Sequence, residues 1–224
     1  MKNFLAYIAA LFLFISCVSS RNSTKQKVSA HIKIETDSGT MVLKLYSQTP
    51  LHNKNFIKLT RKHYFDGLLF HRVIKNFMIQ GGDPDSKNAA PGILLGDGGL
   101  KYTIPAEFDS SLFHQKGALA MAREGDKENP TKASSSTQFY IVQGKKYTDE
   151  ELDKVEQKMK ITIPENHRII YRTIGGTPFL DMNYTVFGQL KSGFDVVEKI
   201  ANAPRDKNDR PLQDIKMKIR LIKK

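Results

Sequence analysis

Apolar and polar residues alternate with a period of two near both ends of the chain. Val28, Ala30, Ile32 and Ile34 alternate with Ser29, His31, Lys33 and Glu35, the pattern of a half-buried strand. Asp37-Ser38-Gly39 supplies a turn, and Met41, Leu43 and Leu45 alternate as the returning strand. At the far end Ile215, Met217, Ile219 and Leu221 repeat the pattern. Gly117 to Ala122 and Thr137 to Val142 read as further strands, the second with Gln138 and Tyr140 on one face and Phe139 and Ile141 on the other. The period changes in three places. Thr49-Pro50 caps and opens a helix to about Lys62 with Phe56 and Leu59 inward. Ser192 with Asp195 forms a capping pair for a helix in which Phe194, Val197 and Ile200 share a face, stopped before Pro204. Between residues 145 and 177, Thr148 and Glu151 open a third helix with Leu152, Val155 and Met159 on one stripe. Mostly antiparallel strands with a helix near each end predict a mainly β fold, a closed barrel capped by two helices, with 145–177 as an inserted helical segment packed on its outside or, together with Ile169 to Ile174, forming a rim beside a binding groove.

Phe70 to Gln80 reads as one strand, rich in Val, Ile and Phe and closed by the glycine pair Gly81-Gly82. Residues two apart share a strand face, so Met78 and Gln80 point the same way. A cation and an amide beside Phe77 and Met78 make an apolar floor with two polar arms, suited to a peptide group and an attached ring. His71, next to Arg72, falls on the opposite face, inside the core. A long loop from Gly81 to Gly99 follows, without the Gly-Lys-Ser/Thr of a phosphate cradle.

The stretch Phe70-His71-Arg72-Val73-Ile74-Lys75-Asn76-Phe77-Met78-Ile79-Gln80-Gly81-Gly82-Asp83-Pro84 resembles the signature of the cyclophilin family of peptidyl-prolyl cis/trans isomerases. The likeness continues through Gly117-Ala118-Leu119-Ala120-Met121-Ala122, Ser135-Ser136-Thr137-Gln138-Phe139-Tyr140-Ile141 and Tyr184-Thr185-Val186-Phe187-Gly188. The resemblance implies an eight-stranded barrel and proline-containing unfolded or folding polypeptides as substrates, with no cofactor. It implies Arg72 and Gln80 as catalytic residues. Phe77, Met78, Tyr140, Phe179, Leu180 and Tyr184 would bind the proline, with Ala122 and Gln138 in the neighbouring groove. Phe179, Tyr184 and Arg123 stand where many eukaryotic members have Trp, His and Asn; loss of the indole N–H at 179 predicts weak binding of cyclosporin. A proline-peptide binding module or holding chaperone with little turnover is the rival reading.

Lys and Arg outnumber Asp and Glu by 35 to 23, giving a net charge of +12. The basic residues are scattered, as in Lys216, Lys218 and Arg220, so a solvated face is expected rather than a nucleic-acid surface. The six histidines show no ligand spacing and no neighbouring cysteine, so no metal is expected. Ser134 to Ser136 lack the setting of a hydrolase nucleophile. Met1-Lys2 and the apolar run Phe4 to Ile15 read as an export signal, residues 1–16. Phe14-Ile15-Ser16-Cys17 resembles a bacterial lipoprotein processing site, an ordinary cleaved signal being the alternative. Lipidated Cys17, the single cysteine, and the polar tether 17–27 would then hold the isomerase domain, 28–224, on a membrane. The tether carries no acidic run, so a periplasm-facing position is expected.

Overall fold

The computed structural model describes residues 30–222. The export signal and Cys17 lie outside them. The first hairpin forms as its alternation predicts: β1 (His31–Thr36) pairs with β2 (Gly39–Leu45), with Ile32, Ile34, Met41, Leu43 and Leu45 fully buried. Helix α1 (Pro50–Arg61) follows and directs Phe56 and Leu59 inward. Thr49 does not cap it as expected. The Glu107 carboxylate instead accepts from the backbone N–H groups of Leu51 and His52, both at 3.0 Å, satisfying free donors of the first turn from 55 residues away.

The stretch read as one strand from Phe70 to Gln80 is a hairpin. β3 (Arg72–Ile74) and β4 (Met78–Gly81) are antiparallel, joined by a turn in which Phe77 N–H donates to Ile74 C=O at 3.1 Å and Asn76 has φ +62°. Asparagine tolerates the left-handed conformation, and Lys75-Asn76 is the turn signal that the surrounding apolar residues mask. β5 (Ala118–Met121), β6 (Phe139–Val142), β7 (Val186–Ser192) and β8 (Met217–Ile222) complete one sheet in the order β3-β4-β6-β5-β7-β2-β1-β8, every pair antiparallel.

Eight antiparallel strands are present as expected, but they form a curled half-barrel rather than the closed barrel. The end strands β3 and β8 share no ladder. β3 is only three residues long, and Val73 N–H donates instead to Asp209 C=O. The segments leading into the two end strands do meet, through a Leu69–Lys216 bridge and Phe70 N–H to Ile215 C=O at 2.9 Å. Both expected capping helices, α1 and α4 (Phe194–Ala201), are present, and among the described residues the insertion holds two helices rather than one, α2 (Asp149–Met159) and α3 (Glu165–Thr173). α2 carries the predicted capping box of Thr148 and Glu151. α4 does not begin on a Ser192–Asp195 pair; Ser192 ends β7, and Gly193 at φ +90° makes the sharp entry. Val197 and Ile200 of α4 are buried, while Phe194 is partly exposed.

Two apolar layers result. Phe56, Phe65, Phe70, Phe139 and Phe187 fill the inner core, Phe139 edge-on to Phe56 and Phe65 at 5.4 and 5.8 Å. The opposite face of the same sheet carries Met78, Tyr140 and Val142, with Leu180 from the Pro178–Leu180 turn packed against them. The insertion packs on the outside through Tyr147, Leu152, Ile163 and Tyr171 against Phe113; of the expected stripe Leu152 is buried and Val155 partly so, whereas Met159 is not in this cluster.

Candidate active site

The hairpin register sets the site. Arg72 and Gln80 are direct cross-strand partners, and Arg72 Nη1 donates to Gln80 Oε1 at 3.3 Å. Gln80 in turn faces Tyr140 on β6, and its Nε2 donates to Gln138 Oε1 at 3.0 Å. Gln138 Nε2 donates to the carbonyls of Gly96 and Gly98, both at 2.7 Å. One guanidinium and two amides are thus linked in series and pinned to the glycine-rich loop. That loop is itself held by Arg210, nearly buried, which donates to the carbonyls of Ala89 and Ala90 at 3.0 and 2.8 Å. The Arg72 side chain is 42% exposed and Gln80 is half-buried, while Gln138 is buried.

Beside this series lies a pocket of about 170 Å³ lined by Arg72, Phe77, Met78, Gln80, Ala122, Arg123, Tyr140, Leu180 and Tyr184. Arg72, Gln80 and six of the eight expected substrate residues therefore converge. The other two stand next to it: Phe179 backs Phe77 with ring centroids 5.7 Å apart, and Gln138 lines an adjoining groove of about 280 Å³ with Gly96, Gly98 and Ser135. Tyr140 and Tyr184 meet edge to face at 5.9 Å.

Arg123 lines both cavities. Its guanidinium sits 4.6 Å over the Tyr184 ring, and Nε donates to Asn183 C=O at 2.7 Å. It is a wall between the two spaces, recognised in the sequence only as a departure from a family pattern. Nothing in the local sequence signalled the tertiary contacts it makes.

A scan against family models matches residues 31–220 to the cyclophilin type peptidyl-prolyl cis-trans isomerase family. The chain belongs to the cyclophilins. Its activity is peptidyl-prolyl cis/trans isomerisation. A Staphylococcus haemolyticus protein named as a peptidyl-prolyl cis-trans isomerase is 34% identical over 195 residues, covering 87% of this cyclophilin and 91% of the relative. A bifunctional phosphatase/peptidyl-prolyl cis-trans isomerase of Streptococcus pyogenes is 35% identical over 199 residues, but this chain spans only 38% of its length. Among solved structures, a cyclophilin of Cryptosporidium parvum superposes with a TM-score of 0.66 at 26% identity, covering 88% of this chain and 99% of that one. The same protein in the presence of the dipeptide Ala-Pro gives 0.63.

Two buried histidines flank the site without entering it. His71 lies in the core as its strand position predicts, 2% exposed. Burial lowers its imidazole from 6.5 to about 4; the Asp83 carboxylate opposes this and the Arg72 guanidinium adds to it. Folded His71 therefore holds fewer protons than unfolded His71 between those values. Stability is fully present above pH 6.5 and is lost as pH falls toward about 4, by at most about 1.4 kcal/mol per pH unit. Denaturant titrations at several pH values are expected to show a slope reduced by about that amount in His71→Gln; an unchanged slope would place the loss elsewhere.

His52 forms a serine-histidine-acid series: Nδ1 meets Glu107 Oε2 at 2.7 Å and Nε2 meets Ser134 Oγ at 2.9 Å. The order resembles a hydrolytic triad. Ser134 is 1% exposed and closed off from both cavities, while Glu107 is occupied in capping α1. The series ties α1 to the 104–107 and 134 segments and offers no attacking oxygen to a substrate.

Proposed function

We propose that Arg72 is the residue that lowers the rotation barrier, and that Gln80 holds the substrate backbone beside it. The barrier to turning an X-Pro amide is about 18–20 kcal/mol because resonance must be broken. No bond is made or cut, so a group that favours the twisted amide over the planar one suffices. On twisting, the proline nitrogen regains its lone pair and becomes an acceptor, which a fixed guanidinium donor stabilises. The observation carrying this reading is the Arg72–Gln80 pair at the rim of an apolar pocket. In this reading Phe77, Met78, Tyr140, Leu180 and Tyr184 enclose the ring, Phe179 supports Phe77, and Ala122 with Gln138 receives the preceding residues.

The leader pattern supports a setting for this activity: an export signal at 1–16 and a lipidated Cys17 joined by the 17–27 tether to the folded domain, acting from a membrane on exported proteins and facing the periplasm. Cys17→Ala is expected to move the protein from the membrane fraction to the soluble fraction. The site reading is tested by NMR exchange spectroscopy on an Ala-Pro peptide, with contacts expected from the proline ring to Met78 and Tyr140. Binding without faster exchange would favour the proline-peptide module or holding chaperone.

Phe179 offers no N–H donor. Cyclosporin is therefore expected to bind weakly in a calorimetric titration, and Phe179→Trp to tighten it by about tenfold, one hydrogen bond's worth. Tight binding by the unaltered chain would remove position 179 from the account.

A further inference from the structure

One buried side chain of the insertion is joined to the pocket wall by a continuous run of hydrogen bonds. Tyr171 on α3 is fully buried among Tyr147, Leu152 and Ile163, with Phe113 edge-on at 5.5 Å. Its hydroxyl donates to Asp181 Oδ2 at 2.6 Å. Asp181 Oδ1 accepts from the His114 backbone N–H and from His114 Nδ1, both at 2.8 Å. His114 is itself fully buried, and its Nε2 meets the Tyr140 hydroxyl at 2.9 Å. Tyr140 is a wall of the proline pocket.

The chemistry of these groups gives the run a direction. A carboxylate only accepts, so the proton sits on Nδ1 of His114. Nε2, the other ring nitrogen, is then the atom that meets the Tyr140 hydroxyl. Burial pushes both tyrosine hydroxyls well above their usual range, which keeps them as donors. The Tyr140 hydroxyl is therefore turned away from the pocket and held from behind.

The backbone attaches the insertion to the same point. Thr177 N–H donates to His114 C=O at 2.8 Å, and Lys116 N–H to Gly175 C=O at 2.9 Å. Gly176, at φ +157°, lies so close that a Cβ there would stand 2.2 Å from the His114 carbonyl oxygen. The returning end of the insertion thus seats directly on the histidine that grips Tyr140.

An apolar ring alone would serve as a wall for proline; a ring anchored through its hydroxyl to a separate helical unit has its position specified as well. We propose that Tyr171, Asp181 and His114 are positioning residues through which the inserted α2–α3 segment holds the Tyr140 wall, so that the insertion sets how closely the site fits a five-membered ring. This rests on the reading of the Arg72 pocket as the proline site.

The test compares Tyr171→Phe, Tyr140→Phe and the double variant in the full chain. Each is assayed on a prolyl peptide and on one carrying piperidine-2-carboxylate, the six-membered homologue, in place of proline. Each single change is expected to raise KM for the prolyl peptide about three- to tenfold with kcat little altered, and to narrow the preference for the five-membered ring. The double variant is expected to be no worse than either single one, because both cut the same run. A lower melting temperature with wild-type KM and ring preference, or effects that multiply in the double variant, would overturn the proposal. Should Tyr171→Phe fail to fold, Asp181→Asn, which keeps the shape and replaces one acceptor with a donor, is read the same way. Arg72→Ala in the same assay separates the two readings. Full activity there sinks the site assignment, whereas lost activity with Tyr171→Phe at wild-type values sinks the positioning role alone.

Discussion

Arg72→Ala is expected to lower kcat/KM for Ala-Pro cis/trans exchange by roughly two to three orders of magnitude, the usual effect of removing one aimed donor from a transition state. Peptide affinity is expected to change little, because the apolar pocket of Met78, Tyr140 and Leu180 remains. Arg72 suits this role because it is lightly committed in the free protein: it donates to Gln80 at 3.3 Å and approaches Asp209 only to 4.0 Å. By contrast, Arg123 is engaged by Asn183, Glu124, Asp126 and the Tyr184 ring, with its side chain 5% exposed. Arg72→Lys is expected to recover only part of the rate, since an ammonium cannot keep the planar donor fork that Gln80 orients. Exchange spectroscopy at saturating peptide separates the two quantities. A rate within twofold of the parent would remove Arg72 from the mechanism, as would a loss seen in affinity alone.

Phe139→Ala is expected to cost about 3–5 kcal/mol of folding stability, the range for truncating a buried aromatic ring. Phe139 has no exposed surface, and its ring lies edge-on to Phe56, Phe65 and Phe70 at centroid distances of 5.4, 5.8 and 6.2 Å. The cavity left would be bounded by large rings on α1 and on the chain before β3, which cannot all close in. Its chain neighbours, Gln138 just before β6 and Tyr140 on it, line the two cavities of the site. Loss of the core ring therefore also loosens the segment that carries them. Urea unfolding with an unchanged m-value measures the effect; a loss below about 1 kcal/mol would mean that the core refills the space.

What could be read in advance follows from the range of each interaction. Alternation exposed β1, β2 and β8, because a strand with one buried face writes its period directly into the sequence. The same rule separated Phe139 and Ile141 from Gln138 and Tyr140, one set now in the inner core and the other at the site. It failed at residues 70–80, where both halves of a short hairpin are apolar and only Lys75-Asn76 marks the turn. Capping showed the same limit. Thr148 and Glu151 close their box three residues apart and were legible, whereas α1 is capped by Glu107, a partner no local pattern can name.

The chain by itself determined which residue types the site holds, since the motif around Arg72, Met78 and Gln80 and the blocks at 117–122, 135–141 and 184–188 carry the family likeness. Only the tertiary structure decided how they meet. The β3–β4 register sets Arg72 opposite Gln80, and the half-barrel leaves its two end strands without a ladder. The run from Tyr171 to Tyr140 crosses from α3 to β6 through His114 and Asp181. The physical reason is that periodicity and capping act over a few residues of chain, whereas the His114–Tyr140 and His114–Asp181 contacts join groups 26 and 67 residues apart and exist only once the sheet has curled.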